Sequence, residues 1–269
     1  MLIGTFMDRL DYYKQYQLNI ELLDCEIEQV KKSAQTVIGK KAWQESVKMH
    51  SSQIAVTEKE IRACTRLYSF LICSWFEARL MKILYENSSV AFSDAEIAQI
   101  RSIRKMEMKW KTCFLMAICK GYGITYSGNI DYSSNFPAKS LELQNYLDVC
   151  VLLGDIRDAI TIRNRLAHGQ WEVQFNSDNT AITNYSFLTN YDNIQKLDIL
   201  KQCYNEIAEI ISAYVTYKDK KTANFENLIR CKISSVFNKK TRIQNSDYQK
   251  YVSQLRNRYE NQRKRCYEE

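Results

Sequence analysis

The sequence predicts an all-α fold: a four-helix bundle with a small inserted β-hairpin, an N-terminal helical arm and a basic helical C-terminal tail. Three observations lead to this expectation. The 269-residue chain holds only one proline and seven glycines, so few residues would interrupt its helices. Apolar side chains recur at spacings of three and four along most of the chain, as on one face of a helix. The composition, 45% hydrophobic and 26% charged, is typical of a globular protein rather than a disordered one.

Residues 1–60 form the expected arm. Its apolar residues follow a heptad seam, consisting of Tyr13, Tyr16, Ile20, Leu23, Ile27, Val30, Ala34 and Val37. Gly39 indicates the end of this helix, and Thr57 with Glu60 matches a capping-box pattern for the next one. The seam has two interpretations: a helix that folds back on its own domain, or a coiled-coil arm that pairs two chains.

Residues 61–217 hold four expected helices. The second begins at Ser93, which has a glutamate three residues later, and the third ends before Gly169, as capping rules favour. The only proline, Pro137, marks a loop between the second and third helices. The expected helices cover 61–85, 93–123, 140–168 and 192–217.

A β-hairpin is expected between the third and fourth helices. Residues 171–175 and 180–185 alternate in polarity on either side of an Asn/Asp/Ser turn, which is the pattern of two short paired strands.

Residues 218–269 form the basic tail. They contain fourteen Lys and Arg against six Asp and Glu, a charge of +8, while the rest of the chain carries −1, so the net charge of +7 originates in this segment. Apolar residues between 225 and 237 predict one packed helix, and residues 247–267 predict a second, solvated and basic one. Such a segment is either an RNA-docking strip or a solvated surface that aids solubility.

One stretch at the end of the third helix carries the candidate chemistry. Arg163 lies on the expected apolar side of this helix, with Ala167, where an arginine requires an anion or a solvated cleft. Asn164 and His168 are four residues apart and share a helix face within one turn of Arg163. A guanidinium suits the binding of phosphate, and an imidazole suits proton transfer near neutral pH.

The pattern Arg163-Asn164-x-x-x-His168 resembles the Arg-x4–6-His motif of HEPN-domain ribonucleases. The first helix adds to the resemblance, because Ser74-Trp75-Phe76-Glu77-Ala78-Arg79-Leu80 is similar to the Trp/Phe-Glu segment of many members. The resemblance covers residues 61–217. It implies a metal-independent RNA endonuclease that needs no cofactor and acts as a homodimer, with both motifs meeting in one cleft. Family members recur in toxin–antitoxin, abortive-infection and CRISPR-associated antiviral defence systems.

The resemblance also implies a role for each residue. His168 would transfer protons, Arg163 would stabilise the pentacovalent phosphorane, and Asn164 would orient the phosphate or His168. Glu77 would orient His168 or hold Arg163. The expected partners are the RNA substrate, a second copy of the chain, and an antitoxin or a regulatory protein or RNA. Members silenced by a nucleotidyltransferase antitoxin carry a tyrosine two residues past the motif histidine, where this chain has Gln170, so control by that route is not expected.

Two other classes of function stay open at this point. One alternative is a non-catalytic HEPN-like module that binds RNA or nucleotides. The other is a helical assembly protein that acts through its heptad arm. Each residue of the motif also has a structural interpretation, such as an ion pair between helices for Arg163 and Glu77 or a helix terminus for His168.

The expected location is the cytoplasm, without membrane insertion. The longest apolar run, 67–76, covers about half of the roughly twenty residues that a bilayer-spanning helix needs. Nine cysteines without a Cys-x-x-Cys pair indicate a reducing compartment. Only two histidines are present, and neither has zinc-site spacing to Cys or carboxylates, so no metal site is expected.

Overall fold

A computed structural model of the protein describes residues 8–88, 91–126, 140–153, 156–171, 181–182, 193–217 and 223–268. The described ranges are helical, which confirms the expected all-α class. The helices described in them are α1 (Arg9–Ser46), α2 (Ser51–Leu84), α3 (Asp94–Ser102), α4 (Met106–Tyr122), α5 (Leu141–Leu153), α6 (Ile156–Ala167), α7 (Ile194–Thr216), α8 (Ala223–Gln244) and α9 (Tyr248–Glu268).

The chain divides into two compact units, each gathered from three stretches. Unit 1 comprises Met1–Leu22, Trp75–Ile160 and Gln202–Lys240, and unit 2 comprises Leu23–Ser74, Thr161–Lys201 and Thr241–Glu269. This division does not follow the expected limits of arm, bundle and tail. In particular, α2 runs without a break across residue 60.

The core of unit 1 is aromatic. The ring of Phe76 stacks on Trp110 at 4.0 Å between centroids and on Tyr204 at 4.1 Å. All three side chains are buried, and each contributes about 1.5–3 kcal/mol by leaving water. Helix α4 supplies the most deeply buried segment, 112–119, because apolar residues surround its middle turns. The expectation that Phe76 and Trp110 are core residues is confirmed.

The first turns of α1 also pack within unit 1. The guanidinium of Arg9 donates to three carbonyl oxygens that follow or end α2, namely Leu84 at 3.2 Å, Glu86 at 3.1 Å and Phe92 at 2.6 Å. The ring of Tyr12 stacks on Tyr85 at 4.8 Å between centroids. Arginine thereby satisfies carbonyl groups that a helix end leaves without partners.

Unit 2 covers the later part of the heptad seam. Ile27, Ala34 and Ile38 of α1 are buried. The carboxylate of Asp198, on α7, accepts hydrogen bonds from Lys31 at 2.7 Å and from the buried Tyr68 at 3.1 Å. Of the seam residues in unit 2, Ile27 and Ala34 are therefore buried by their own chain, whereas Leu23, Val30 and Val37 are half-buried. Pairing of two chains through the arm stays a prediction.

Two expected helix boundaries in the arm are wrong. Helix α1 continues through Gly39 to Ser46. Helix α2 begins at Ser51, so Thr57 lies inside it rather than at its start. Thr57 is buried, and its hydroxyl donates to the Gln44 amide oxygen at 2.9 Å, so the residue serves packing between α1 and α2.

The expected bundle helices are more divided than the sequence suggests. Ser93 caps α3 with Glu96 in a full capping box, as expected, but Ile103 and Lys105 adopt extended backbones that separate α3 from α4. The third expected helix is described as α5 and α6, with 154–155 outside the described residues.

The expected β-hairpin falls on residues that the structure leaves almost entirely undescribed. Of 171–185, only Trp171, Ala181 and Ile182 are described. Ile182 makes an isolated bridge, and no strand is present in the described ranges.

Helix length and apolarity bear on the membrane expectation. No helix in the described part of the chain is both long enough and apolar enough to span a bilayer.

Candidate functional site

The last turns of α6 hold Arg163 and Asn164 of the Arg-Asn-His motif, and His168 follows directly after the helix. Ile162 and Leu166 are buried and fix one side of the helix inward. Arg163, beside that stripe, is half-buried, whereas Asn164 and His168 are exposed. Asn164 and His168 lie only about 40° apart around the helix, because they are four residues apart. The structure therefore places an imidazole and an amide on one open face, with a guanidinium at its edge.

The expected apolar stripe of this helix needs a correction. The sequence predicts Ala167 on this stripe together with Arg163, but Ala167 is exposed. The buried positions are Ile162 and Leu166, which share a face at a spacing of four. Arg163 follows Ile162 directly and is half-buried as a whole.

A Schellman motif ends α6 and fixes the backbone of His168. Gly169 has a left-handed φ of 77°. Its N–H donates to the Leu166 carbonyl at 3.1 Å, and the N–H of Gln170 donates to the Arg165 carbonyl at 3.0 Å. These are the two bonds that define the motif, with His168 as the residue between the helix and the glycine. The expected stop at Gly169 is thus confirmed, and His168 stands at a helix end that two backbone hydrogen bonds close.

The electrostatics of this end are mixed. The carbonyl end of a helix carries partial negative charge, which favours a cation and disfavours a phosphate. Arg163 and Arg165, both half-buried in the last two turns, place positive charge beside it. An anion bound here would depend on these guanidinium groups.

Glu77 belongs to unit 1, whereas Arg163, Asn164 and His168 belong to unit 2. Glu77 lies on α2, directly after the buried Phe76, and is half-buried. Its assignment to the site stays a prediction.

The second histidine has a local structural role. His50 immediately precedes α2, and its Nδ1 accepts the N–H of Ser52 at 3.3 Å and lies 2.8 Å from the Ser52 hydroxyl. His50 therefore caps the start of α2. Within the described residues, no three or more His, Cys, Asp or Glu side chains cluster as metal ligands.

The cations of the basic tail differ in their surroundings. Lys239 is bound to Glu206 at 3.0 Å, and the guanidinium of Arg263 lies 3.9 Å from the ring centre of Trp43. Arg242 and Arg258, by contrast, are exposed and make no salt bridge within the described ranges. Lys250 is equally exposed. It lies outside the runs of consecutive cations, so only its place on the same helix face as Arg258 indicates it from the sequence.

Comparison of the chain with protein-family models, with curated proteins and with solved structures finds no match. The resemblance to HEPN ribonucleases therefore depends on the quoted residues and on their positions in the helices.

Proposed function

We propose that this protein is a metal-independent RNA endonuclease of the HEPN type, which cleaves RNA through attack of the ribose 2′-hydroxyl. The observation that carries the proposal is the exposed imidazole of His168 at the capped end of α6, one turn from the exposed Asn164 and close in sequence to Arg163. These residue types match the chemical needs of the reaction, and the Schellman motif holds them on one short segment.

The reaction needs proton transfer at two oxygens. The 2′-oxygen attacks the adjacent phosphorus, and the bond from phosphorus to the 5′-oxygen breaks. One imidazole takes the proton of the 2′-hydroxyl, and a protonated imidazole gives a proton to the departing 5′-oxygen. The products are a 2′,3′-cyclic phosphate and a 5′-hydroxyl. General acid–base catalysis of this kind contributes about 10²–10⁴-fold to the rate.

Arg163 would stabilise the charge of the phosphorane. A guanidinium is always charged and matches two phosphate oxygens at once, and here it offsets the negative end of the α6 dipole. Asn164 would orient the phosphate or His168 from the same face. The predicted contribution of Glu77 is a positioning one, and Glu77→Gln tests it.

The proposal includes a homodimer. One chain supplies one imidazole to the site, because its other histidine, His50, caps α2. The reaction uses two such groups, one as base and one as acid. A second copy of the chain would supply the other His168. The proposal keeps the four-helix bundle and the cytoplasmic location that the sequence predicts. The HEPN type of the bundle and a role as a toxin or antiviral effector, with its antitoxin or regulator, come from the resemblance alone.

Substitution of the two histidines tests the proposal. His168→Ala should abolish cleavage of transfer or messenger RNA in EDTA, whereas His50→Ala should retain it, because His50 has only a capping role. Arg163→Ala should lower the rate at least about 10²-fold, as expected for loss of a charge-stabilising group, while Arg104→Ala, a change at an exposed arginine of unit 1, should not. Equal cleavage by wild type, His168→Ala and Arg163→Ala would refute the proposal.

A second candidate is an RNA-binding module without catalysis. The exposed cations of α9 and Arg242 favour it. Tight RNA binding by wild type together with intact RNA after long incubation would support this alternative over the nuclease.

A further inference from the structure

A pocket of about 390 Å³ lies within unit 2, between α7 and the turn that joins α8 to α9. Its volume falls in the range of roughly 300–1,000 Å³ typical of small-molecule sites. Gln195 and Ile199 of α7 line one side, and Arg242 at the end of α8 and Lys250 in the first turn of α9 line another. The pocket therefore combines two cations and several polar side chains with apolar surface.

Charge in the pocket favours an anion. Arg242 and Lys250 are exposed and make no salt bridge within the described part of the chain. The carboxylate of Asp247 also lines the pocket, but it accepts the N–H of Lys250 at 2.9 Å and so serves as the cap of α9. Its charge is offset by the positive end of that helix, and the two side-chain cations stay available to a ligand.

Other groups in the pocket suit the rest of a nucleotide. The Gln195 amide oxygen is buried and has no hydrogen-bond partner among the described residues, although a buried acceptor is costly without a donor. An exocyclic amino group or a ribose hydroxyl would supply that donor. The ring of Tyr251 lines the same pocket and offers a surface for stacking of a base.

The pocket continues into the exposed face of α9. Helical spacing places Lys250 and Gln254, which both line the pocket, on the same face as Asn257, Arg258, Asn261, Lys264 and Arg265, and all seven are exposed. From Lys250 to Arg265 this face extends about 22 Å, at 1.5 Å per residue. We call it the α9 strip.

The composition of the α9 strip favours RNA over a lipid surface. A helix that lies on a membrane needs large apolar side chains beside its cations, whereas no exposed large hydrophobic residue of the described chain lies on α9. The strip instead contains four cations and three amides, with Lys264 also paired to Glu260 at 3.1 Å. In nucleic-acid interfaces, cations contact phosphates, and amides contact sugars and bases.

We propose that the pocket between α7 and the α8–α9 turn binds one nucleotide of a single-stranded RNA, whose phosphate backbone continues along the α9 strip. Arg242 and Lys250 bind the phosphate, and Gln195 accepts a hydrogen bond from the base or ribose. This site would hold the substrate of the proposed nuclease. Cleavage of the bound RNA rests on the proposed function, whereas the binding itself does not.

Binding measured without cleavage tests the proposal. Full-length protein carrying His168→Ala is titrated with a fluorescently labelled, 12-nucleotide single-stranded RNA at several salt concentrations. Adding Arg242→Ala and Lys250→Ala should weaken binding at least 10-fold at low salt. The slope of log affinity against log salt should fall by about 1.4, because each phosphate contact on a single strand contributes about 0.7. Lys32→Ala with Lys59→Ala, which removes two exposed lysines of the same unit, should change neither.

Two further arms identify the ligand. Gln195→Met should weaken binding of adenosine monophosphate and leave binding of inorganic phosphate unchanged. Polyglutamate and anionic lipid vesicles should compete poorly with the RNA.

The proposal is overturned if the Arg242/Lys250 variant binds RNA as the Lys32/Lys59 control does, or if polyglutamate or vesicles compete as well as RNA. These outcomes are independent of catalysis, because all variants carry His168→Ala. Failure of the nuclease proposal would instead show as intact RNA with the wild-type protein.

Discussion

A Cβ atom on Gly39 of α1 would stand 2.6 Å from the carbonyl oxygen of Leu255 on α9. Both residues belong to unit 2. Non-bonded atoms do not approach this closely, so the absence of a side chain at Gly39 is what lets the two helices pack at this distance. The glycine inside a helix is thus explained by packing and not by a helix end.

Gly39→Ala should destabilise the protein. The overlap with a backbone atom costs about 1–3 kcal/mol, while alanine regains about 1 kcal/mol of helix propensity. We expect a net loss of up to about 2 kcal/mol in the free energy of unfolding, measured by urea denaturation. Gln29→Ala, an exposed change on the same helix, is the control and should be near neutral. Equal stability of both variants would show that the helices can separate freely.

Tyr68 should make stability fall at alkaline pH. Burial raises the pKa of its phenol well above the usual range, and the neighbouring Asp198 carboxylate raises it further. Above about pH 10 the unfolded chain therefore releases this proton while the folded protein keeps it, so stability declines as pH rises. Tyr68→Phe should cost about 1 kcal/mol at neutral pH through the lost hydrogen bond. It should also flatten the decline between pH 9 and 11, as measured by chemical denaturation. If stability falls equally steeply with pH in Tyr68→Phe and the wild type, Tyr68 is not the group responsible.

Glu206 should contribute to the loss of stability in acid. Burial raises its pKa, but the hydrogen bond and charge of Lys239, together with Lys232, outweigh burial and lower it below the ordinary value. Its contribution is present above about pH 4.5 and is lost as pH falls, because the unfolded chain takes up the proton first. Glu206→Gln should lower stability at pH 7 by about 1 kcal/mol and reduce the difference between pH 7 and pH 3. Thermal unfolding at both pH values measures these stabilities. If the difference in stability between pH 7 and pH 3 is the same in the variant and the wild type, the prediction is wrong.

Gly169→Ala tests whether the helix end of the motif matters for activity. Alanine in the left-handed conformation costs about 1–2 kcal/mol, and relief of that strain would disturb the backbone of His168. Gly123→Ala is the matched control, since Gly123 also ends a helix with a left-handed φ of 67° and neither glycine has an atom within 4 Å of an added Cβ. Both variants should lose similar stability, but only Gly169→Ala should lose RNA cleavage. Equal RNA cleavage by the two variants would show that activity does not depend on the Schellman motif at Gly169.

Local signals in the sequence predicted local structure well. Examples are the capping box at Ser93 and the left-handed helix ends at Gly123 and Gly169. Each involves residues within about one turn of each other, so a short stretch of sequence is enough to predict it. The all-α class followed in the same way from helical spacing.

Structural features that depend on contacts between residues far apart in the chain could not be predicted from the sequence. Gly39 predicts a helix end until Leu255, 216 residues later, is seen to pack on it. Thr57 matches a cap until Gln44 accepts its hydroxyl. The motif at the end of α6 could be recognised in the sequence. The pocket could not, because Gln195, Arg242 and Lys250 come together only when three helices pack.

The most direct test of the nuclease account is the chemistry of the RNA ends. Purified wild-type protein is incubated with transfer RNA in EDTA, and the fragments are mapped by ligation and phosphatase treatment. The account predicts fragments with a 2′,3′-cyclic phosphate and a 5′-hydroxyl from wild type and none from His168→Ala. Fragments with 5′-phosphates, cleavage abolished by EDTA, or the same fragments from His168→Ala would contradict it.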